Sequence, residues 1–493
     1  MPGNLSPRTP VLVGLAQLEQ RTDDFTEAKE PLELMVDAVR AAAEDAGCTA
    51  LLEQTDAVRV IRGIWRYGDP GRVIAERVGC PKAKTAITPF GGNFVQTVLN
   101  RTALDIQAGH LDVAILTGAE CGKSYALARK AGERMQWTEC PGEPDEQIGK
   151  DTPMWFEAEK ARNIMMPIQM YPIFENALRH ARGESPEEHS RRVSELWAGF
   201  NAVATKNPHA WIRESISAEE IRTPSASNRM VGFPYPKLMN SNSHVDQSAA
   251  LILCSLEKAR SLGISQDRFV FPHVGTDAHD TPAVSHRDEL HRSPGMRLAG
   301  RRALELAEVE VTDLEHVDVY SCFPSAVQVA AEEIGLPLDR PLTVTGGLTF
   351  GGGPMNNYVM HAIARMAQLL REAPGKMGLC TANGGFLTKH AFGVYSTAPP
   401  EKGYQHEDLQ AQVDALPARE ATVDWDGEAT IESYTVMFDA DGPTIGHTAC
   451  RLADGRRTWA NVEDRDTMTA MTREEFCGRP ARIDGQGRLT VTG

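Results

Sequence analysis

Apolar residues along the chain fall into two recurring arrangements. One is a short apolar run ending in glycine, the pattern of a parallel strand covered on both faces. The other is an apolar stripe at helical spacing. Residues 10–15, Pro-Val-Leu-Val-Gly-Leu, predict a first buried strand. Residues 33–46 predict a helix with Leu34, Met35, Ala38, Val39 and Ala42 on one face, and residues 57–64 a second strand. Lys84 to Thr88 then lead into Phe90-Gly91-Gly92-Asn93, an apolar helical run over 94–108, and Val113-Ala-Ile-Leu-Thr-Gly118-Ala-Glu120. The same order returns in Phe350-Gly351-Gly352-Gly353-Pro354, a run over 356–371, and Gly378-Leu-Cys-Thr-Ala-Asn383-Gly384-Gly385. Upstream, Asp318-Val-Tyr-Ser-Cys-Phe323 answers Asp56-Ala-Val-Arg-Val-Ile61. Strand, glycine turn, helix, strand is the unit of a parallel sheet, and its return half a chain later predicts two duplicated α/β halves.

Between the halves, from Cys121 to about Asn240, the alternation lapses. Ser185-Pro-Glu-Glu188 and Ser217-Ala-Glu-Glu220 are capping boxes, and the first predicts a helix reaching Phe200. Residues 246–255 are small and apolar, 257–262 helix-like, and 269–274 open the second half. A helix over 295–306 precedes a third capping box at Thr312-Asp-Leu-Glu315. Thr397-Ala-Pro-Pro-Glu-Lys-Gly marks a linker. Past Arg419 the runs shorten to alternating strands at 429–438, 444–452, 458–462, 480–483 and 489–492, parted by turns such as Asp441-Gly442. That texture predicts a small β-barrel or sandwich.

A chain of 493 residues exceeds a single core, and 41% hydrophobic with 24% charged residues is the composition of an ordinary soluble protein. The net charge of −16 argues against nucleic acid as a partner, as do the acidic balance and few aromatics of the last segment. The opening residues lack an apolar core of signal-peptide length, and no stretch nears the ~18 apolar residues of a membrane span. Nine cysteines without a C-x-x-C pair read as reduced thiols of a cytoplasmic protein.

The glycine turns lead the candidate chemistry. Glycine lets backbone approach a ligand, and each following helix aims its amides at the gap. Two turns in matching places point to a shared cleft. Gly118-Ala-Glu-Cys-Gly122-Lys123-Ser124 is one residue short of a phosphate loop and would bury Glu120 against the anion. Asp277, His279, Asp280, His286, Asp288 and His291 have metal-ligand chemistry but match no zinc spacing, so a polar inter-domain loop is the expectation. Tyr320 and Cys322 stand where an inner strand meets the cleft, Cys380 beside the second glycine run, and His361, Lys389 and His390 behind it.

Together these stretches resemble the thiolase superfamily over residues 10–396, and within it the type 1 thiolase-like proteins with an additional C-terminal domain. The resemblance implies a five-layer α-β-α-β-α sandwich built from two halves, at 1–120 with 241–267 and at 268–396. It further implies a loop domain at 121–240, a linker at 397–418 and an additional barrel of oligonucleotide-binding type at 419–493. Asn240-Ser-Asn242-Ser243-His-Val-Asp-Gln-Ser-Ala-Ala250 looks like the family's segment near the pantetheine of coenzyme A. Coenzyme A or acyl-CoA is therefore the expected ligand, held by Gly91, Gly92, Asn240, Asn242, Ser243, Gly352, Gly353, Asn383 and Gly384, with no metal.

The family's nucleophilic cysteine falls on Gly91 or Gly92, and its Gly-His-Pro on Gly352-Gly353-Pro354. Its Asn-Glu-Ala-Phe falls on Tyr320-Ser-Cys-Phe323 and its late Cys-x-Gly on Thr381-Ala-Asn383. Thiolysis or condensation through an acyl-enzyme needs a thiolate and a base, so it is expected to be absent. Tyr320, Cys380, His361 and His390 are then the residues left for any chemistry. A retro-aldolase on a bulky β-hydroxyacyl-CoA, an acyltransferase with a substitute cysteine and a non-enzymatic scaffold are the alternatives, with a role in lipid or sterol metabolism and a monomer or homodimer implied.

Overall fold

The computed structural model describes residues 5–492. Strands are numbered here in chain order. The first sheet holds β1 (Pro10–Glu19), β2 (Ala57–Val60), β3 (Lys84–Ile87), β4 (Val113–Cys121), the two-residue β5 (Glu146–Gln147) and β8 (Asp246–Ser255), in the order β1-β8-β4-β2-β3-β5. Two short strands of the intervening segment, β6 (Met230–Gly232) and β7 (Tyr235–Pro236), pair with each other. The second sheet holds β9 (Phe271–His279), β10 (Leu314–Asp318), β11 (Met377–Gly384), β12 (Lys389–Ser396) and β13 (Gln405–Asp408), in the order β10-β11-β12-β9-β13.

The duplication shows in the ladders. β2 runs parallel to β4, which is antiparallel to β8, itself antiparallel to β1. β10 runs parallel to β11, which is antiparallel to β12, itself antiparallel to β9. β4, β8, β11 and β12 are buried at every residue but the first of β11, because helices cover both faces.

The principal helices are α1 (Pro31–Asp45), α2 (Pro70–Val78), α3 (Phe94–Gln107), α4 (Pro167–Arg182), α5 (Pro186–Ala204), α6 (Pro294–Ala307), α7 (Pro324–Ile334) and α8 (Tyr358–Glu372). All but α3 and α8 start on proline, whose fixed φ suits a first turn and whose missing N–H is not needed there. α3 and α8 start instead after asparagine, Asn93 and Asn357, and neither side chain caps its helix. α1 and α2 cover one face of the first sheet, α3 and α8 lie between the sheets, and α6 covers the far face of the second with α7 against it. The expected five layers are present.

The last segment forms a third sheet from β14 (Gly427–Asp439), β15 (Gly442–Arg451), β16 (Arg457–Val462), β17 (Pro480–Ile483) and β18 (Leu489–Val491), ordered β16-β15-β14-β17-β18. A bridge between Asn461 and Arg488 brings its two edges together. Ile431, Val436, Cys450, Val462, Met471 and Ile483 fill a core of its own. β6 pairs with β14 at Gly232 and Met437, and α4 packs on β14, so the intervening segment joins this sheet to the body. Arg457 ties it further: fully buried, its guanidinium meets Glu432 at 2.7 Å and donates to the carbonyls of Val284, Ser285, Arg287 and Asp288. No helix among the described residues is long and apolar enough to cross a membrane.

Four expectations need correction. Thr312–Glu315 is no helix start: Asp313 N donates to Glu310 O in a turn, and Leu314 already pairs with Met377 in β10. Burial of Leu314 and Val317 in the sheet overrides the local capping signal. The strand answering β2 is therefore 314–318, and residues 319–323 lie beyond it. Strand β10 ends where the Asp318 carboxylate turns into a network with Thr343 Oγ1, Val344 N and Tyr358 Oη, each at 2.9 Å. Asp277, Ala278 and His279 belong to β9, not to a polar loop. Helices α2 and α4 lie outside the expected elements although both carry local signals, with Asp69 capping α2, proline starting both and left-handed Gly79 and Gly183 ending them. Within 397–418, β13 adds a parallel strand to β9.

Candidate functional site

The halves meet through their glycine turns, each pressed against the strand ends of the other. Asn93, before α3, packs on Gly384 of β11, where a Cβ would overlap its Oδ1. Asn357, before α8, packs in the same way on Gly118 of β4 and donates from Nδ2 to Gly118 O at 2.8 Å. Asn356 Nδ2 donates to Arg62 O at 2.7 Å, just past β2. Gly118 and Gly384 are thus the same position in the two halves, and close approach demands glycine at both. The second turn is longer than the first: Phe350 ends a one-turn helix, Gly347–Phe350, and a 3₁₀ turn at Met355–Asn357 follows the glycines before α8.

At Gly92 the opposite half comes closest. A Cβ there would overlap the Tyr320 hydroxyl, stand 3.0 Å from Tyr320 Cζ and 2.6 Å from Asn383 O. Tyr320, two residues past β10, reaches across the junction to fill the space a side chain at 92 would take. Its hydroxyl has no hydrogen-bond partner among the described residues, and burial raises its pKa far above that of an ordinary phenol. Asn383 Nδ2 donates to Tyr171 Oη at 3.0 Å and lies 3.7 Å from Cys322 Sγ. Tyr171 Oη accepts from Leu387 N at 3.0 Å and donates to Gly385 O at 3.2 Å, which fixes the loop between β11 and β12. The Gly91 Cβ would meet only its neighbours Asn93 and Phe94.

The second turn is laced to the first half. Gly353 N donates to Asn242 O at 2.9 Å, Asn242 N to Leu348 O at 3.0 Å and Thr349 Oγ1 to Asn240 O at 2.8 Å. Gln247 Nε2 donates to Gly351 O at 3.0 Å, and its Oε1 leaves no room for a Cβ at Gly352. Ser243 is exposed, with its carbonyl against Gly122. A belt of buried polar atoms without partners follows this junction: both side-chain atoms of Asn93, Asn383 Oδ1, Gln247 Oε1, Asn357 Oδ1 and His361 Nε2, with Asn240 Oδ1 beyond it. Residue types gave one hint of Asn93 and Asn357, an asparagine ahead of each central helix. Gln247 lies in the segment 240–250 that resembles the family's pantetheine stretch, but nothing there singled it out from its neighbours.

The remaining candidates separate. His361 sits one turn along α8 from Asn357, and burial lowers its pKa to about 3, so it is neutral. The Cys322 thiol is pushed up to about 12 by burial, and burial in β11 likewise pushes the Cys380 thiol well above its ordinary value. Both are thiols, not thiolates, at neutral pH. His390 lies off the junction. Its Nε2 meets Asp280 Oδ2 at 3.0 Å and Ser293 Oγ at 3.2 Å, where Asp280 also accepts from Gly295 N at the start of α6. Serine and aspartate share one ring nitrogen and Nδ1 is unpartnered, so this trio holds a helix end and is not built as a nucleophilic relay.

Three of the other ligand-type residues engage protein partners, Asp288 through Arg419, while His279 Nδ1 is buried without one. Asp277 binds His406 Nε2 and Asn100 Nδ2, both at 2.9 Å, and His286 Nδ1 meets Arg419 O at 3.0 Å. His180, Glu475 and Cys477 group within 4.8 Å, with Glu475 held by Arg179 through two bonds of 2.9 and 3.0 Å. Glu120 is a group whose chemistry the sequence understated. Buried at the end of β4, it accepts from Ile64 N at 2.8 Å, and burial raises its pKa to about 7.

Two duplicated halves in five layers, crossing at paired glycine turns, define a thiolase-fold protein. A family model described as the thiolase-like protein type 1 additional C-terminal domain matches residues 408–488. The crystal structure of a monomeric SCP2-thiolase-like protein type 1 from Mycobacterium smegmatis is 31% identical, covers 99% of this chain and 100% of that one, and superposes with a TM-score of 0.85. The chain belongs to the SCP2-thiolase-like proteins of type 1. Human mitochondrial 3-ketoacyl-CoA thiolase in complex with CoA shares the fold at 16% identity, 80% of this chain, 99% of that chain and a TM-score of 0.55. An acetyl-CoA acetyltransferase of Methanocaldococcus jannaschii is 26% identical over 132 residues, 27% of this chain and 32% of that protein, so the match spans about a third of its length.

Proposed function

We propose that this protein holds a coenzyme A thioester at the junction of its halves without capturing the acyl group covalently. The belt of buried, unpartnered amides around Gly92, Gly352 and Gly384 carries this reading. Each such atom costs about 1–3 kcal/mol when nothing pairs with it. A pantetheine arm offers amide donors and acceptors, and a thioester carbonyl offers one more acceptor, for the Asn93 amide. The CoA complex of a thiolase of the same fold supports that choice of ligand. The absence of a covalent step rests on Gly92, which bears no side chain, and on Cys322 and Cys380, which burial keeps protonated. Exchange of an acyl group has no carrier there. Titration calorimetry with coenzyme A should give one site per chain; no heat and no thermal shift at millimolar ligand would remove the reading.

The free hydroxyl of Tyr320 favours a second reading, retro-aldol cleavage of a bulky β-hydroxyacyl-CoA of lipid or sterol origin. As the C–C bond breaks, its electron pair would pass to the α carbon as the thioester enolate and the β-carbon oxygen would become a carbonyl; the neutral phenol would give its proton to the enolate and take the β-hydroxyl proton in return, so that it is regenerated. Tyr320→Phe should then abolish turnover of such thioesters while leaving coenzyme A affinity intact, and undiminished turnover would oppose the assignment. The chain is proposed to act as a monomer, because β5 covers the edge of β3 and the M. smegmatis relative is monomeric. Light scattering should return the 53.9 kDa of one chain, and twice that mass would contradict it. Nine unpaired cysteines support a reducing, cytoplasmic setting; a disulfide found by mass spectrometry in the protein as isolated from cells would speak against it.

A further inference from the structure

Lys389, the first residue of β12, is 4% exposed, forms no ion pair and donates no hydrogen bond among the described residues. The side chain is buried among protein atoms, while its ammonium, unpaired by any acid, faces the cavities it lines. Its Nζ lies 5.9 Å from the centroid of the Phe94 ring, at the outer limit of a cation–π contact. Lys389 lies opposite Gly384 across the ladder, so its side chain leaves the sheet toward the turn of Gly92 and Asn93.

Two adjoining cavities share this lysine. One, of about 850 Å³, runs between the start of α3, the ends of β9 and β13 and the loop at 148–152. The other, of about 430 Å³, is walled by half-exposed Phe90 with Met154 and Trp155. Beside Lys389, Thr388 is fully buried and its Oγ1 has no partner. The larger cavity has room for a small organic molecule and apolar walls at Phe94, Leu104 and Ile148. Its acids, Asp151, Asp277, Asp280, Asp408 and Asp414, outnumber Arg101 and Lys150, so an anion is a poor match.

We propose that Lys389 is a carbonyl-capturing lysine, whose amine forms an imine with a neutral aldehyde or ketone bearing an apolar tail. Desolvation lowers the basicity of this amine, with Asp151 acting against it, and so raises the fraction able to attack. The nitrogen lone pair bonds to the carbonyl carbon, the C=O π pair moves to oxygen, and the amine proton passes to that oxygen. The carbinolamine then loses water, leaving C=N and no change of oxidation state.

The test treats the full-length protein with butanal and sodium cyanoborohydride, which fixes an imine as a secondary amine, and maps labelled peptides by mass spectrometry. Lys389 should be alkylated about tenfold faster than exposed Lys150 in the same groove. Lys389→Arg, which keeps the charge, should remove that label and leave the labelling of Lys150 unchanged. Labelling of Lys150 without Lys389, or equal labelling of all lysines, overturns the proposal. So does millimolar phosphate that shields Lys389 in a protein forming no butanal adduct, since that would make the site an anion site. The comparison with Lys150 is made within the native chain, so it stands even if the variant fails to fold.

Discussion

Gly92→Ala is the sharpest perturbation of the junction. The new Cβ would overlap Tyr320 Oη, lie 3.0 Å from Tyr320 Cζ and press on Asn383 O at 2.6 Å. Tyr320 has some freedom to withdraw, being held edge-on against Tyr358 at 5.5 Å between centroids. Asn383 has almost none, because its backbone is laddered to β12. Overpacking of a tight core typically costs about 1–3 kcal/mol, and the backbone clash puts this substitution near about 3. Tyr320→Phe removes the first overlap and leaves the second. The double variant should therefore recover about 1 kcal/mol relative to the sum of the two single changes. Urea titrations of the four proteins, followed by fluorescence and compared at equal slope, measure this coupling. Wild-type stability in Gly92→Ala, or a coupling of zero, would mean that Tyr320 does not occupy the space beside Gly92.

Glu120→Gln tests the buried acid beside that junction. Its folded pKa of about 7 stands above the ordinary 4.5, so the native chain holds a proton the unfolded chain has lost. Its stabilising contribution is full below pH 4.5 and disappears as pH rises through 7. The amide should raise stability at pH 8 by up to about 3 kcal/mol and change little at pH 4.5, in thermal melts across that range; no gain at pH 8 would contradict the assignment. Arg457→Met should loosen the C-terminal sheet. It leaves Glu432 buried without its main partner and takes from the Ser285 and Arg287 carbonyls their guanidinium donor, a loss of about 3–5 kcal/mol that limited proteolysis reads as early release of the segment after 419. Wild-type proteolytic resistance would count against that anchor.

The duplicated α/β scaffold was legible because strands covered on both faces read as unbroken apolar runs, as in Val113-Ala-Ile-Leu and Gly378-Leu-Cys. The turns were legible through glycine, but their partners were not. That Gly92 is matched to Tyr320, Gly352 to Gln247 and Gly118 to Asn357 depends on contacts between residues more than a hundred positions apart. Local signals misled at Thr312–Glu315, where sheet burial of Leu314 outweighed a capping box. They misled again at His390, whose place beside Asn383 in the sequence says nothing of which sheet face it leaves; it turns to Asp280 and α6. Lys389 and His390 are adjacent and point to opposite faces, as the two-residue period of a strand requires.

The central claim is that a thioester lodges intact between the two turns. A crystal soaked with a non-hydrolysable acyl-CoA analogue and a second soaked with the natural acyl-CoA address it together. Both should show the pantetheine amides bonded to members of the Asn93, Gln247, Asn357 and Asn383 belt, with the natural thioester uncleaved by any protein sulfur. Density for an acyl group bonded to Cys322 or Cys380, or both ligands bound elsewhere with that belt still packed shut, would contradict it.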